Sequence, residues 1–301
     1  MIHLGILMEF RHLRYFVMVA EELHFTRAAA RLNIGQPPLS QQIQALEAEL
    51  NVQLFQRTRR SVRLTEAGEH LLVRAREILG ASEEVAIELQ RISQGEAGEL
   101  RISFTSTGLL VKELRVPLRT FRAKYPAVRL TLKEMFTHLQ FAALLAGDLD
   151  IGYVRFNELK APEGLTLRLV RRDRLCLVLP DDHRLAGCAE VSIAEVRDEP
   201  FIGYPVKAGA SLSDYVTTLC TRAGFVPNVT QEAREAMTQI GLVAAGMGVA
   251  VLLQPMDQLQ PKGVCFVPLS DEGAELCMAL VTRESDNSPR VRNFVELVCQ
   301  E

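Results

Sequence analysis

The sequence predicts an α/β protein in three parts: a winged helix-turn-helix head at 1–64, a linker helix at 65–94 and a two-lobed α/β body at 95–301. Three observations carry that expectation. Near the N-terminus a short Ala-rich segment, a break at Asn33-Ile34-Gly35 and a longer apolar-striped segment follow one another, the order of a helix-turn-helix. Residues 65–93 contain no proline and repeat apolar positions in steps of four and three, as a coiled-coil seam does. Beyond Gly95-Glu96-Ala97-Gly98, strand-like and helical runs alternate and then restart, which predicts two α/β units. A length of 301 residues agrees with two or three domains.

In the head, Leu13, Phe16, Val17, Ala20 and Leu23 have helical spacing. Thr26 is expected to cap a short helix at 26–32, which Asn33-Ile34-Gly35 ends with residues that tolerate left-handed turns. The next helix opens on Pro37-Pro38, tolerated where N–H groups lack intrahelical partners. It runs to about Leu50 with the stripe Leu39, Ile43, Leu46 and Leu50. Strands at 53–55 and 61–64, joined through Arg57-Thr58-Arg59-Arg60, form the expected basic wing.

Along the linker, Leu71, Ala75, Ile78, Ser82, Val85, Leu89 and Ile92 make a heptad seam. It predicts pairing with a second copy of the same helix, the alternative being packing on the chain's own body. In the body, strands are expected at 100–104, 129–134 and 151–154, separated by helices ending near Tyr125 and spanning 139–146. The second unit reads as strand 175–179, helix near 192–196, strand 201–204, helix 211–223, strand 229–232, helix 237–245 and strand 249–253. Ser192/Glu195 has capping-box spacing and Ser211/Asp214 approximates it. Strand 276–282 and helix 289–299 are expected to return to the first lobe, which then comprises about 98–170 plus 272–301, with the second at about 171–271. Sheets should be mainly parallel, with a ligand cleft between the lobes.

Composition narrows the function. Apolar residues at 48% and charged residues at 24% describe an ordinary globular chain rather than a disordered one or a rod. No apolar run reaches the ~20 residues of a membrane span, and the first ten residues lack the basic start of a secretory signal. The six cysteines show no C-x-x-C pair, which argues against a disulfide framework or zinc site. A cytoplasmic protein without metal, cofactor or membrane partner is expected. Net charge is −3 overall, yet residues 1–64 hold eight Arg against five Glu. A basic head on an acidic body points toward nucleic acid.

On the second long helix of the head, Pro37, Gln41, Gln44 and Ala48 oppose the apolar stripe with Ser40 beside them, and Gln36 and Pro38 at its start are expected to join them in contacting DNA. Gln can pair in bidentate fashion with adenine in the major groove, and Ala can touch a thymine methyl. Arg57, Arg59 and Arg60 are expected on the phosphate backbone or in the minor groove. Sequence-specific binding of double-stranded operator DNA follows, with Thr26 at the start of the preceding helix. Enzyme motifs are missing: no G-x-S-x-G, no G-x-x-x-x-G-K-[ST] and no H-E-x-x-H occurs. A redox sensor using Cys176 and Cys188 and a free solute-binding protein are the remaining alternatives.

Phe25-Thr26-Arg27-Ala28-Ala29, the run from Leu32 through Gly35-Gln36-Pro37-Pro38-Leu39-Ser40-Gln41-Gln42 to Ile43, and Leu46-Glu47-Ala48-Glu49-Leu50 resemble LysR-type transcriptional regulators. Leu54-Phe55-Gln56-Arg57, Leu64-Thr65-Glu66-Ala67-Gly68, 147–152 and 241–248 extend the likeness over the chain, closest to the subgroup responding to benzoate, muconate and chlorocatechol products. The resemblance implies a dimerising linker helix, a periplasmic-binding-protein-like effector domain, a homodimer assembled into a homotetramer, RNA polymerase as a further partner and control of aromatic-compound catabolism. Two departures stand out: Gln41 replaces an Arg common among relatives, and Met8-Glu9-Phe10-Arg11 resembles the usual family beginning, which leaves Met1 to Leu7 extra.

For the cleft, Thr105, Ser106 and Thr107 follow the first body strand. They are expected to hold a small organic acid at a helix N-terminus, the alternative being that they only cap that helix. Thr137, Arg155 and Tyr204-Pro205 follow other strands and should face the same crevice, with Arg155 as charge partner and Phe156 or Tyr204 as apolar wall. In the muconate-responsive relatives, positions matching Thr107, Thr137, Arg155 and Pro205 lie in or beside effector sites.

Overall fold

A computed structural model describes residues 8–58, 61–156, 161–205 and 211–299. The chain divides into two units, Met1–Gln90 and Arg91–Glu301. In the first, α1 is Phe10–Glu22, α2 Phe25–Arg31 and α3 Gln36–Glu49, followed by strands β1 Phe55–Arg57 and β2 Val62–Leu64 in an antiparallel pair. The apolar stripes of α1 and α3 meet over the wing, burying Leu13, Phe16, Leu39, Ile43, Leu46, Leu54 and Phe55. Side chains of this size stabilise by about 1.5–3 kcal/mol each when fully buried. Phe16 and Phe25 pack on Phe55 at centroid distances of 5.3 and 5.9 Å.

Two local expectations are corrected here. Helix α2 starts one residue before Thr26, so its cap is His24, whose Nδ1 accepts from the Arg27 N–H at 3.4 Å. The turn follows expectation, with Asn33 as its left-handed residue at φ 53°, while Gly35 is extended at φ −69°. The first wing strand begins two residues late, which puts Arg57 on β1 rather than in the loop. Arg59 and Arg60 lie outside the described residues, as does the Ser211 side chain.

Helix α4, Glu66–Gln94, is capped by Thr65, whose Oγ1 accepts from the Gly68 N–H at 3.0 Å. Gly68 is glycine because a Cβ there would collide with the Leu54 carbonyl oxygen. Within the heptad seam Ala75 is buried and Leu71 half-buried in the core of the first unit, whereas Ile78, Val85, Leu89 and Ile92 are 39–61% exposed.

In the second unit β3 Ala97–Phe104, α5 Lys112–Lys124, β4 Ala127–Glu134, α6 Thr137–Ala146 and β5 Ile151–Phe156 build one lobe. Strand β6 Leu165–Pro180 leaves it, and β7 Pro200–Gly203, α7 Ser211–Arg222, β8 Asn228–Glu232, α8 Ala236–Ala244, β9 Val249–Leu253 and β10 Val264–Pro268 build the other. Strand β11 Glu275–Arg283 and α9 Pro289–Cys299 return. The sheet order is β4-β3-β5-β11-β6-β9-β7-β8, with β10 on β6. Pairing is parallel for β4-β3-β5 and for β8-β7-β9, but every ladder of β6 and β11 is antiparallel. The expected mainly parallel character therefore stops at the crossing strands. Strand β6 pairs with β11 through Arg174 and with β9 from Leu175, passing between lobes there.

Helix α5 also differs from expectation. A single 3-10 turn at Gly108–Leu110 intervenes, so the α-helix starts at Lys112 rather than directly after Thr105–Gly108. The Ser192/Glu195 capping box forms on a 3-10 turn, Ile193–Val196.

Candidate functional site

The outer face of α3 matches the wheel read from the sequence. Gln36, Pro37, Pro38, Gln41, Gln44 and Ala48 are exposed, Ser40 is half-buried, and Thr26 is exposed on α2. The opposite stripe anchors this helix in the core, so the amides are presented on a rigid element. Arg57 is placed differently from expectation. Its guanidinium pairs with Glu47 at 2.7 Å and stacks over the Phe25 ring at 4.8 Å. The same Glu47 accepts from the backbone N–H groups of Leu54 and Phe55 at 2.9 and 3.1 Å, which fastens the wing to α3. Arg27 and Arg31 pair with Glu22. Among the described residues of the head, Arg14 and Arg63 are exposed arginines with no ion pair. Sequence reasoning passed over both, and only their type could have suggested them.

In the second unit a cavity of about 460 Å³ lies between the lobes, within the ~300–1,000 Å³ usual for small-ligand sites. Six of the seven residues expected there line it: Thr105, Ser106, Thr107, Thr137, Arg155 and Tyr204, but not Pro205. Phe156 is not a wall of the cavity. Side chains alternate along a strand, and Phe156 points from β5 into the core with Leu144 and Val154. Phe136, Leu139, Leu212 and Met256 supply the apolar lining instead.

Two buried amides hold the segments that carry the lining. Gln140 Nε2 donates to the carbonyls of Met135 and Tyr153 at 2.9 and 3.1 Å. In the opposite lobe Gln239 Nε2 donates to the Ala233 carbonyl at 3.0 Å. The Thr137 hydroxyl bridges to β5, accepting from the Arg155 N–H and reaching its carbonyl, both at 3.1 Å.

The electrostatics differ from a simple anion pocket. Arg155 is 3% exposed and Asp173 2%, and the two form an ion pair. Arg155 Nη2 also reaches Thr107 Oγ1 at 3.4 Å. Burial pushes the Arg155 guanidinium below its usual value, and Asp173 opposes that shift. Asp173 further pairs with Arg171 at 2.6 Å, and Arg171 with Glu113 at 2.8 Å. The other charged groups lining the cavity are Glu134, Arg234 and Glu235, none of which the sequence reading nominated. Burial, then the neighbouring Glu235, raises the Glu134 carboxyl above its ordinary range. Tyr204 is pushed up to about 12 by burial, then by Glu235 and Glu134. The Thr105 Oγ1 is a buried atom with no hydrogen-bond partner among the described residues.

The redox alternative loses its support at Cys176, which is 1% exposed and whose thiol burial pushes up to about 12. A reactive thiol needs the opposite shift. Among the described residues no group of three His, Cys, Asp or Glu can hold a metal ion, and no helix is long and apolar enough to cross a membrane.

Comparison with known proteins agrees with the resemblance. Residues 10–69 match the family described as bacterial regulatory helix-turn-helix protein, lysR family, and residues 93–301 the LysR substrate binding domain. The chain is 46% identical over 287 residues to YnfL, a HTH-type transcriptional regulator of Escherichia coli K12, covering 95% of this chain and 96% of YnfL. The crystal structure of full-length CbnR complexed with its target DNA superposes with a TM-score of 0.83 at 28% identity, over 97% of this chain and 99% of CbnR. The BenM effector binding domain with its effector benzoate gives 0.61 at 26% identity, over 67% of this chain and 91% of that domain. The matched families and relatives are regulators, not enzymes.

Proposed function

This chain belongs to the LysR family of DNA-binding transcriptional regulators, and on that premise we propose that a small organic carboxylate bound between the two lobes controls its grip on a specific operator. Operator sequence would be read by Gln36, Pro37, Pro38, Ser40, Gln41 and Gln44, with Thr26 and the wing arginines Arg57, Arg59 and Arg60 on the backbone. The observation that carries the effector half is the convergence of Thr105, Ser106, Thr107, Thr137, Arg155 and Tyr204 on one cavity from strands far apart in the chain. Pro205, next to Tyr204, belongs to the proposed site at its edge.

The exposed seam residues Ile78, Val85, Leu89 and Ile92 support a dimer through α4, extended to a tetramer through the effector domains, with RNA polymerase as the partner that reads the outcome. A two-fold assembly implies a pseudo-palindromic operator. An anion shifts the regulator only by its differential affinity for the two states of the cleft. Likeness to a domain solved with benzoate supports an aromatic or aromatic-derived acid and a role in aromatic-compound catabolism.

The test is calorimetry of the full-length chain with benzoate and muconate, on wild type and Thr107→Val, alongside operator binding by Gln41→Ala. Thr107→Val should weaken the carboxylate, and Gln41→Ala should cost about 1–3 kcal/mol on the operator and far less on random duplex. Binding that ignores Thr107, or equal losses on both duplexes, would refute the corresponding half.

A further inference from the structure

The charges around the cavity do not sum to an anion site. Arg155 lines it but is neutralised by Asp173, which lies against it in the wall. That leaves Glu134, Arg234 and Glu235, which make no ion pair among the described residues. Two carboxylates and one guanidinium leave the mouth one charge negative. The carboxylates also come from opposite lobes: Glu134 ends β4, and Glu235 is the N-cap of α8. In each lobe a buried glutamine ties down a carbonyl within two residues of the acidic one, Gln140 to Met135 next to Glu134 and Gln239 to Ala233 two residues before Glu235. Any movement that narrows the cleft concentrates two like charges across it, which costs energy unless something positive or hydrogen-bond-donating stands between them.

On another part of the lining the chemistry reverses. Thr105, Ser106 and Thr107 bring three hydroxyls to the cavity, with Thr107 Oγ1 3.4 Å from Arg155 Nη2, and the Thr105 Oγ1 is buried without a partner among the described residues. This end suits a carboxylate. The mouth suits a donor.

We propose that the effector is an amphoteric organic acid whose carboxylate meets Thr105–Thr107 and whose ammonium, or other donor, bridges Glu134 and Glu235, so that this carboxylate pair selects against dianions. The proposal rests on the reading of the cavity as an organic-acid site. Its specificity element is separate, because Glu134 and Glu235 would recognise the group that the acid end ignores. Bridging also gives the donor a direct part in closure, since it is the component of the ligand that relieves repulsion between the lobes.

Four probes of one shape separate the cases: benzoate, 4-(aminomethyl)benzoate, terephthalate and benzylamine. Binding is measured by calorimetry on the full-length protein, wild type and the Glu134→Gln/Glu235→Gln double variant. Both glutamates are exposed, and a thermal melt confirms that the variant folds. The aminomethyl acid should bind wild type about tenfold tighter than terephthalate, a difference that complementary charge readily supplies. In the double variant that preference should vanish, with terephthalate gaining affinity. Terephthalate binding wild type as tightly as the aminomethyl acid, or a preference that survives the double substitution, overturns the carboxylate pair while leaving the organic-acid site standing. Benzylamine binding that the double variant abolishes, with no acid bound, keeps the pair and overturns the acid site. No binding by any probe overturns both.

Discussion

Arg57 in the wing and Arg155 in the cavity wall are both arginines that the sequence nominates to meet a negative charge, and both already hold one. The Arg57 and Glu47 side chains are 29% and 11% exposed, whereas the Arg155 and Asp173 side chains are 4% and 1% exposed. That difference decides what each can do. A pair that reaches water on its Arg side is worth about 0–1 kcal/mol, and Glu47 keeps the Leu54 and Phe55 N–H groups when Arg57 leaves, so Arg57 can trade Glu47 for a phosphate at modest cost. A buried pair cannot exchange partners cheaply, because the abandoned charge stays out of water. Arg155 is therefore part of the wall that shapes the cavity and orients Thr107, while Arg57 is available to DNA on release from Glu47.

The largest expected effect breaks the two pairs in turn. Asp173→Asn leaves Arg155 buried and uncompensated and should destabilise the effector-binding unit by about 3–5 kcal/mol. Glu47→Gln keeps an acceptor for the Leu54 and Phe55 N–H groups and should cost no more than about 1 kcal/mol. Chemical denaturation followed by hydrogen exchange assigns each loss to its unit. Similar losses at both positions would erase the distinction between a fixed and an exchangeable arginine.

The same contrast explains what could be read from sequence. Leu39, Ile43 and Leu46 repeat at helical spacing, so the buried and reading faces of α3 are both local facts, and Asn33 marks its turn by residue type alone. Thr105–Thr107, Thr137 and Tyr204 are legible as a site because each follows a strand, and strand ends of such sheets gather at one crevice. Arg155, expected just past its strand, lies instead within β5, which runs on to Phe156. Pairing was not legible. Asp173 lies in a segment with Arg168, Arg171, Arg172 and Arg174 that looks like a solvated loop, and only the crossing of β6 between lobes makes it a strand and buries that one carboxylate. Glu134 and Glu235 are 101 positions apart in the chain and acquire a relation only when the lobes assemble. Helix α5 starts only at Lys112 because Gly108–Leu110 forms a 3-10 turn before it.

A smaller effect sharpens the DNA side. Arg63 on β2 has no ion pair among the described residues, so it needs no release before meeting a phosphate. Arg63→Ala should reduce the slope of log affinity against log salt by about one. Arg57→Ala should lower affinity with a weaker effect at low salt than its position alone suggests, because part of its charge is spent on Glu47. Glu47→Gln should then tighten DNA by a factor of about two to five, the worth of an exposed pair. Binding isotherms at several salt concentrations on operator and random duplex measure all three. An unchanged slope for Arg63→Ala would remove Arg63 from the interface.

The smallest effect concerns a charge with no ion pair among the described residues. Burial and Glu235 raise the Glu134 carboxyl in the folded protein, so the folded state binds this proton more tightly than the unfolded chain does. Stability therefore falls, relative to Glu134→Gln, as pH rises from the ordinary carboxylate value of about 4.3 through the raised one. Below that window Glu134 is protonated in both states and contributes no difference. The melting midpoint of Glu134→Gln minus that of wild type should accordingly be larger at pH 7 than at pH 4. Glu235→Gln in wild type should shrink this pH dependence by removing the neighbouring charge, leaving only the part due to burial. A difference between Glu134→Gln and wild type that does not change with pH would mean that Glu134 titrates alike in folded and unfolded chains, and that the two lobes bring no like charges together across the cleft.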